Sequence, residues 1–357
     1  MHEKILIIGN QGYLGSRLSD YLQENGYSCT GADTGFFQYG VLYRPKPINM
    51  LDKEARTINK KDIEGFDVVI LLAGISNDPF GDLDPRLIYD PTREYALRIA
   101  KICKNLGVRF IFPSSCSVYG IGSGRCDEMN KPNPQTLYSR NKLEIEEDLA
   151  RLADESFSPI ALRLATVFGP SPRMRFDVVI NMLCGMALTT NKIVLNSNGQ
   201  AWRPHLYIED ACQAFHCCIA YKYTGGKLLI LNVGDDNNNW KIIDIAKTIQ
   251  SFVDGCDLKF LGEIEEKIDN QLFKDKKIDD GVDKRTYQVS FKLIHEILPN
   301  FKASWDVKRG IKELLQALKF WHLDEIKFKQ LDFYRLQQID FLYKTNQIDQ
   351  NLNWLEK

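Results

Sequence analysis

Apolar and polar positions alternate in blocks along the first half of the chain. "KILIIG" (4–9) is apolar almost throughout, and "GSRLSDYLQENG" (15–26) carries apolar residues at helical spacing and closes on Gly26. "SCTGAD" (28–33) predicts a second strand, and "FDVVILLAG" (66–74) a continuous apolar one. "YALRIAKICKNLG" (95–107) reads as a helix ended by Gly107, and "VRFIFPSS" (108–115) as the next strand. "YSRNKLEIEEDLARLAD" (138–154) is a helix with an acidic outer face, followed by the strand "PIALRLATVFG" (159–169). Strands that are apolar on both faces, with helices between them, belong to a parallel sheet covered on both sides. The expected fold class is therefore α/β, a Rossmann-type doubly wound parallel sheet.

The pattern loosens after Gly169. "IEDACQAFHCCIAY" (208–221) predicts a helix and "KLLILNVG" (227–234) a strand, both placed to return to the first sheet. Further helices fall in "WKIIDIAKTIQSFV" and "DVKRGIKELLQALKF". The expected organisation is a Rossmann domain of residues 1–165 plus about 206–234 and a smaller, interleaved C-terminal substrate domain of about 166–205 plus 235–320. A C-terminal helical appendage, 321–357, follows, and its aromatics are expected to pack on the body. No internal repeat or low-complexity segment is present.

Composition narrows the function. Apolar residues make up 44% and charged residues 26% of the 357, as in an ordinary soluble protein. A net charge of −1 gives no global attraction to nucleic acid or an anionic membrane, so neither is an expected partner. No apolar run approaches the roughly 20 residues of a membrane span. The first strand is read from Lys4, so no signal peptide is expected. The nine cysteines are odd in number and lack zinc spacing. They predict reduced, buried thiols in a cytoplasmic protein, and no metal site.

Candidate chemistry starts at Gly9-Asn-Gln-Gly12-Tyr13-Leu14-Gly15, between the first strand and its helix. Gly9 permits a tight turn, Gly12 lets a pyrophosphate approach the backbone, and Gly15 lets the helix pack on the strand. The helix N-terminus then faces the anion. Asp33 ends the next strand, where it would accept the adenosine ribose hydroxyls and repel a 2′-phosphate; the expected cofactor is NAD. Tyr13, Leu14, Leu51, Leu72, Ala73 and Gly74 join the expected cofactor contacts, the last three at the switch point of the sheet. Asp52 has two open readings, an adenine contact or a helix cap. Tyr138 and Lys142 stand four apart on one helix and share a face. An ammonium beside a phenol favours the phenolate, which then removes a hydroxyl proton while hydride leaves the carbon beneath it. The strand ending at Ser115 offers a hydroxyl to the same oxygen.

Together, the glycine pattern, "SSCSVYG", "YSRNK", "LRLATVFG" and "RPHLYIEDACQAF" resemble the extended short-chain dehydrogenase/reductase family, the NAD-dependent nucleotide-sugar epimerases and dehydratases. The resemblance covers about residues 3–318. It implies a catalytic set of Ser115, Tyr138 and Lys142, with Tyr138 and Lys142 also touching the cofactor. It further implies that Arg203, and by a looser match Arg285, hold a nucleotide diphosphate, and that Thr166 and Asn181 line the sugar. A homodimer through the helices at about 95–107 and 138–154 is implied as well. Where sugar 4,6-dehydratases place Asp and Glu, this chain has Cys116 and Ser117; related decarboxylases keep the Glu, which is also missing here. Both residues are expected at the substrate, with Cys116 open between a packing role and proton donation. Elimination is left without a proton donor. The expected activity is an NAD-dependent nucleotide-sugar C4 epimerase or 4-dehydrogenase. Its alternatives are a 4-ketoreductase, a 4,6-dehydratase, a non-catalytic NAD-binding sensor, or an enzyme of small ketones, steroids or flavonoids, which the two arginines disfavour. Met50 stands where relatives often hold an adenine-binding Asp, and "DPTREYALRI" departs from their Asn-rich helix start. Ser76, Asn77 and Asp78, in a polar loop above the switch point, are expected to face the substrate or nicotinamide. His205 is expected to be structural.

Overall fold

Strand and helix alternate as β1 (Lys4–Ile8), α1 (Tyr13–Glu24), β2 (Ser28–Ala32), β3 (Asn49–Met50), α2 (Lys60–Ile63), β4 (Val68–Leu71), α3 (Arg86–Leu106) and β5 (Arg109–Ser115). β6 (Ile121–Cys126), α4 (Leu137–Leu152) and β7 (Ile160–Leu164) complete the first half. The second half holds β8 (Thr166–Phe168), α5 (Val179–Thr190), β9 (Lys192–Leu195), β10 (Trp202–Tyr207), α6 (Ile208–Ala220), β11 (Leu229–Val233), β12 (Asn239–Lys241) and α7 (Ile242–Phe252). β13 (Asp257–Phe260), β14 (Thr286–Val289), α8 (Lys292–Ile297), α9 (Val307–Phe320), α10 (Glu325–Phe328) and α11 (Arg335–Lys344) follow. The structure is a computed structural model and describes residues 3–75, 86–260 and 285–355.

The main sheet has seven strands in the order β11-β7-β5-β4-β1-β2-β3, every pair parallel. Its strands are apolar on both faces because both faces are covered. Ile5 and Ile7 point into one buried cluster, and Leu6 and Ile8 into another. The strand order reverses between β1 and β4, so their carboxyl ends open a crevice there. Three smaller sheets, β12-β10-β8, β13-β9 and β14-β6, carry the rest.

Two elements differ from the pattern. α3 begins at Arg86 and runs through Pro91, ahead of the expected start at Tyr95. Proline removes one helical hydrogen bond there without ending the helix. β6 has no apolar run of its own and exists by pairing with β14, over 150 positions away. The segment after α9 packs on the body. Ile339, Leu342, Ile348 and Leu352 form a third cluster with Phe36 and Tyr89, and Phe37, Ile75 and Tyr138 lie against it.

Candidate active site

The glycine turn closes on itself. Gly9 has φ +96°, and a side chain there would place Cβ 2.4 Å from Ala73 N. A Cβ on Gly15 would lie 2.1 Å from the Gly9 carbonyl oxygen. Gly12 caps α1 without a side chain, so no side chain covers the first-turn N–H groups of the helix. Asp33 is fixed by two N–H donors, Gln11 N to Oδ2 and Gly35 N to Oδ1, both at 2.8 Å. Burial raises its pKa, and those two hydrogen bonds oppose the rise. The resulting cleft is lined by Gly9, Gly12, Asp33 and the Leu72–Ile75 edge, with Glu54–Arg56 and Tyr95 on one side and Phe36, Phe37 and Leu352 above. Asn10 Oδ1 and Gln11 Oε1 are buried acceptors without partners. A cradle that any Cβ would fill, a helix N-terminus and a buried carboxylate fit a dinucleotide.

At the end of β5 the side chains alternate. Ser114 (2% exposed) and Cys116 (1%) point inward. Ser115 and Ser117 are partly exposed. Ser115 Oγ accepts the Ser117 N–H at 3.1 Å, capping the single turn that follows. Ser117 Oγ has no partner. α4 is started by Thr136, whose hydroxyl accepts the Ser139 N–H; Tyr138 in its first turn packs against the cluster that holds Phe36, and Lys142 follows one turn later. The buried Lys142 Nζ donates to Pro113 O at 2.8 Å and lies 5.7 Å from the Tyr138 ring centroid and 4.5 Å from that of Phe112. Burial lowers the Lys142 pKa to about 8, and Glu146 opposes the fall, so the ammonium is still the main form at neutrality.

Beneath this layer lies a buried network. Glu146 accepts from Ser114 Oγ and from Arg163, with Nη2 to Oε2 at 2.6 Å. Arg163 Nη1 donates to Tyr119 Oη at 3.0 Å, and Tyr119 donates to Asn232 Oδ1 at 2.9 Å.

Several expected site residues lie elsewhere. Cys116 is sealed in this lower layer, with Sγ donating to Arg163 O at 3.1 Å, and burial raises its pKa well above the usual thiol value. It does not face the substrate. Asn181 is fully buried, and its amide is spent on Gly169 N, Tyr13 Oη and Arg175 O; it braces the turn after β8 and does not line a sugar. The Tyr13 side chain turns away from the cleft and donates to Gly169 O at 2.7 Å. Leu14 and Leu51 pack against the two main clusters and are not among the cleft-lining residues. Arg203 is 8% exposed and donates to the carbonyls of Trp202 and Arg285, which brings the two expected diphosphate arginines together. Thr166 stands in β8 opposite His205 of β10. His205 is fully buried, neither ring nitrogen has a partner, and burial lowers its pKa to about 3; it is a neutral core residue. Asp52 is exposed and outside the cleft lining, and Met50 Sδ accepts from Asn10 Nδ2 at 3.3 Å. Ser76, Asn77 and Asp78 lie outside the described residues.

The sequence reading missed Phe36, Phe37, Arg56, Tyr95 and Leu352 as cleft residues. It also missed Arg175, which is ion-paired with Asp177 at 2.6 Å and within electrostatic reach of Tyr138. "PRMRFD" (172–177), a pair of cations shortly after the strand "PIALRLATVFG", was the available signal for Arg175.

A seven-stranded parallel sheet with this cradle at its switch point defines a dinucleotide-binding α/β protein. The chain belongs to the NAD dependent epimerase/dehydratase family, which matches it over residues 5–234, and NAD is the cofactor of that family. It is 26% identical over 264 residues to the uncharacterized UDP-glucose epimerase YtcB of Bacillus subtilis, covering 69% of this chain and 82% of that protein. Among solved structures it resembles UDP-glucuronic acid 4-epimerase from Bacillus cereus in complex with UDP-glucuronic acid and NAD. There the TM-score is 0.72 at 22% identity, covering 89% of this chain and 99% of that one. It also resembles the NAD-dependent NDP-hexosamine 5,6-dehydratase TunA, with a TM-score of 0.72 at 18% identity over 90% of this chain and 99% of that one. At these identities the structural likenesses establish the fold. Among the described residues no helix is long and apolar enough to cross a membrane.

Proposed function

We propose that the chain is an NAD-dependent nucleotide-sugar C4 epimerase, with Tyr138 as the acid–base residue. One observation carries the reading: Lys142 Nζ, held by Pro113 O, stands as a buried cation 5.7 Å from the Tyr138 ring centroid. Tyr138 takes the proton of the C4 hydroxyl, Ser115 steadies that oxygen, and the Lys142 charge favours the phenolate. Bound NAD supplies a reversible hydride acceptor. After the sugar has turned over, return of the hydride to the other face of C4 together with the proton from Tyr138 would complete an inversion. Gly9, Gly12, Gly15, Asp33 and the Leu72–Gly74 edge hold the cofactor in this reading. The Ser117 hydroxyl, which has no partner, is assigned to the sugar, while Arg203 braces the Arg285 backbone so that Arg285 meets the diphosphate.

A 4,6-dehydratase is disfavoured because Cys116 is sealed away and Ser117 bears no carboxyl group. A one-way 4-dehydrogenase or 4-ketoreductase would use the same residues. We further place the protein in the reducing cytoplasm, since its nine cysteines are all free. We also assign it a homodimer through the adjoining faces of α3 and α4.

The test is a screen of nucleotide sugars followed by NMR. The expected result is inversion at C4 with no net change in nicotinamide absorbance. Tyr138→Phe should lower turnover by roughly 10²- to 10⁴-fold with unchanged thermal stability. Full turnover in that variant would overturn the assignment of the base, and a stoichiometric absorbance change would overturn epimerisation in favour of one-way redox.

A further inference from the structure

The C-terminal segment comes back to the cofactor cleft through contacts that span 295 to 320 positions of the chain. Trp354 Nε1 donates to Thr34 O at 2.6 Å, and its ring centroid is 5.5 Å from that of Phe36. Arg56 donates to the carbonyls of Asn351 (2.7 Å) and Leu352 (2.9 Å). Gln338 Nε2 donates to Phe36 O at 3.3 Å. The residues pinned in this way, Thr34, Phe36, Arg56 and Leu352, are cleft lining. The loop they belong to is also tied on its far side: Leu42 N donates to Pro172 O at 2.9 Å, and Arg173 to Gln38 O. The loop after Asp33 therefore bridges the mouth of the cradle, and the tail rests on it.

Arg335 enters this roof from the start of α11. It is 4% exposed, and its guanidinium carbon is 4.2 Å from the Phe37 ring centroid. Nη1 donates to Asp332 O at 3.2 Å and the backbone N–H to Asp177 Oδ2 at 3.2 Å, but Nη2 is buried with no partner. Asp33, Asp177, Arg173 and Arg175 are within electrostatic reach, so three guanidinium groups face two carboxylates. A buried charged donor left unpaired is costly, and an anion is what would complete it. Asp33 lines the cleft, so Arg335 stands behind the cradle's wall within reach of it, and that cradle is built for a diphosphate.

We infer that residues 331–354 are a roof that retains the bound dinucleotide, with Arg335 Nη2 donating to its diphosphate. The inference rests on the cleft being the NAD site of the reading above and is independent of C4 chemistry. It also deepens that reading, because a cofactor that receives a hydride and gives it back has no need to leave between turnovers, whereas a one-way dehydrogenase must exchange it.

The experiment measures NAD content after gel filtration, and the rate of NADH release by fluorescence, in the full-length chain and three full-length variants. The parent should retain NAD. Arg335→Gln should release NADH roughly 10- to 100-fold faster, the size of a lost charge-assisted hydrogen bond. Hydrogen exchange of α11 should be unchanged in that variant. Arg335→Lys should keep part of the slow release, and Trp354→Ala, which loosens the roof without touching the charge, should also accelerate it. A parent that takes up no NAD sinks the cleft reading and this inference together. A parent that binds NAD while Arg335→Gln and Trp354→Ala release it at the parent's rate sinks the roof alone.

Discussion

The two sides of the turn at the end of β5 are made from consecutive residues and do opposite things. Ser115 and Ser117 are partly exposed, one capping the turn and one with a hydroxyl that has no partner. Ser114 and Cys116 face down into the network of Glu146, Arg163, Tyr119 and Asn232, where hydrogen-bonding groups are paired. Strand alternation sets Ser114 and Ser115 on opposite faces, and the single turn that follows leaves Cys116 buried and Ser117 partly exposed. The open side leaves polar groups for a ligand to satisfy. The sealed side satisfies its own and pins the turn to α4 and β7. Changes below should therefore cost stability, and changes above should cost turnover.

The largest effect expected of the sealed side comes from Glu146→Gln. It leaves the Arg163 guanidinium, 4% exposed, without its counter-charge. Breaking a buried pair from one side costs about 3–5 kcal/mol, read as a lower midpoint in urea unfolding with unchanged slope. Glu146 also supports the Lys142 charge, so the variant's activity should fail at a lower pH than the parent's. A variant as stable as the parent would show that the lower layer is not what anchors the turn.

Lys142 sits on the boundary, and pH separates its two roles. Its folded pKa is about 8, below the ordinary 10.5, because it is buried. Turnover that needs the ammonium should fall about tenfold per pH unit above pH 8. Stability should move the other way. Between about 8 and 10.5 the unfolded chain keeps a proton that the folded chain has released, so the Lys142 contribution to stability rises with pH across that window. Opposed slopes in a pH–rate profile and a pH series of unfolding curves are the expected result. Parallel slopes would remove Lys142 from the boundary.

The same contrast explains what could be read from the chain. The doubly wound sheet was legible because its information is local: apolar runs such as "VVILL", glycines at a turn, and a hydrophobic period of each helix. Gly9, Gly15 and Asp33 were legible because backbone geometry demands those residue types at those places. The roof was not legible, because Arg56 with Leu352 and Thr34 with Trp354 meet across most of the chain, and no local pattern announces such a pairing. Asn181 and Arg203 carry residue types that suit a substrate, but their side chains are used by neighbouring backbone groups that fold distant segments against them. β6 has no signal of its own for the same reason.

Cys116 gives the smallest expected effect and the sharpest test of the alternation. The sequence left it open between packing and proton donation, beside serines that are partly exposed. Here it is 1% exposed, bonded to Arg163 O, and held as the neutral thiol by burial, so it has neither the access nor the ionisation of a reactive cysteine. Cys116→Ala removes one weak hydrogen bond and a little packing. It should lower stability by only about 1 kcal/mol, leave turnover within about twofold, and leave the pH–rate profile in place. Ser117→Ala, one residue on and on the open face, should instead raise KM for the sugar nucleotide at unchanged stability. If Cys116→Ala lost turnover while Ser117→Ala did not, the two faces would have to be exchanged, and the thiol would become the group at the sugar.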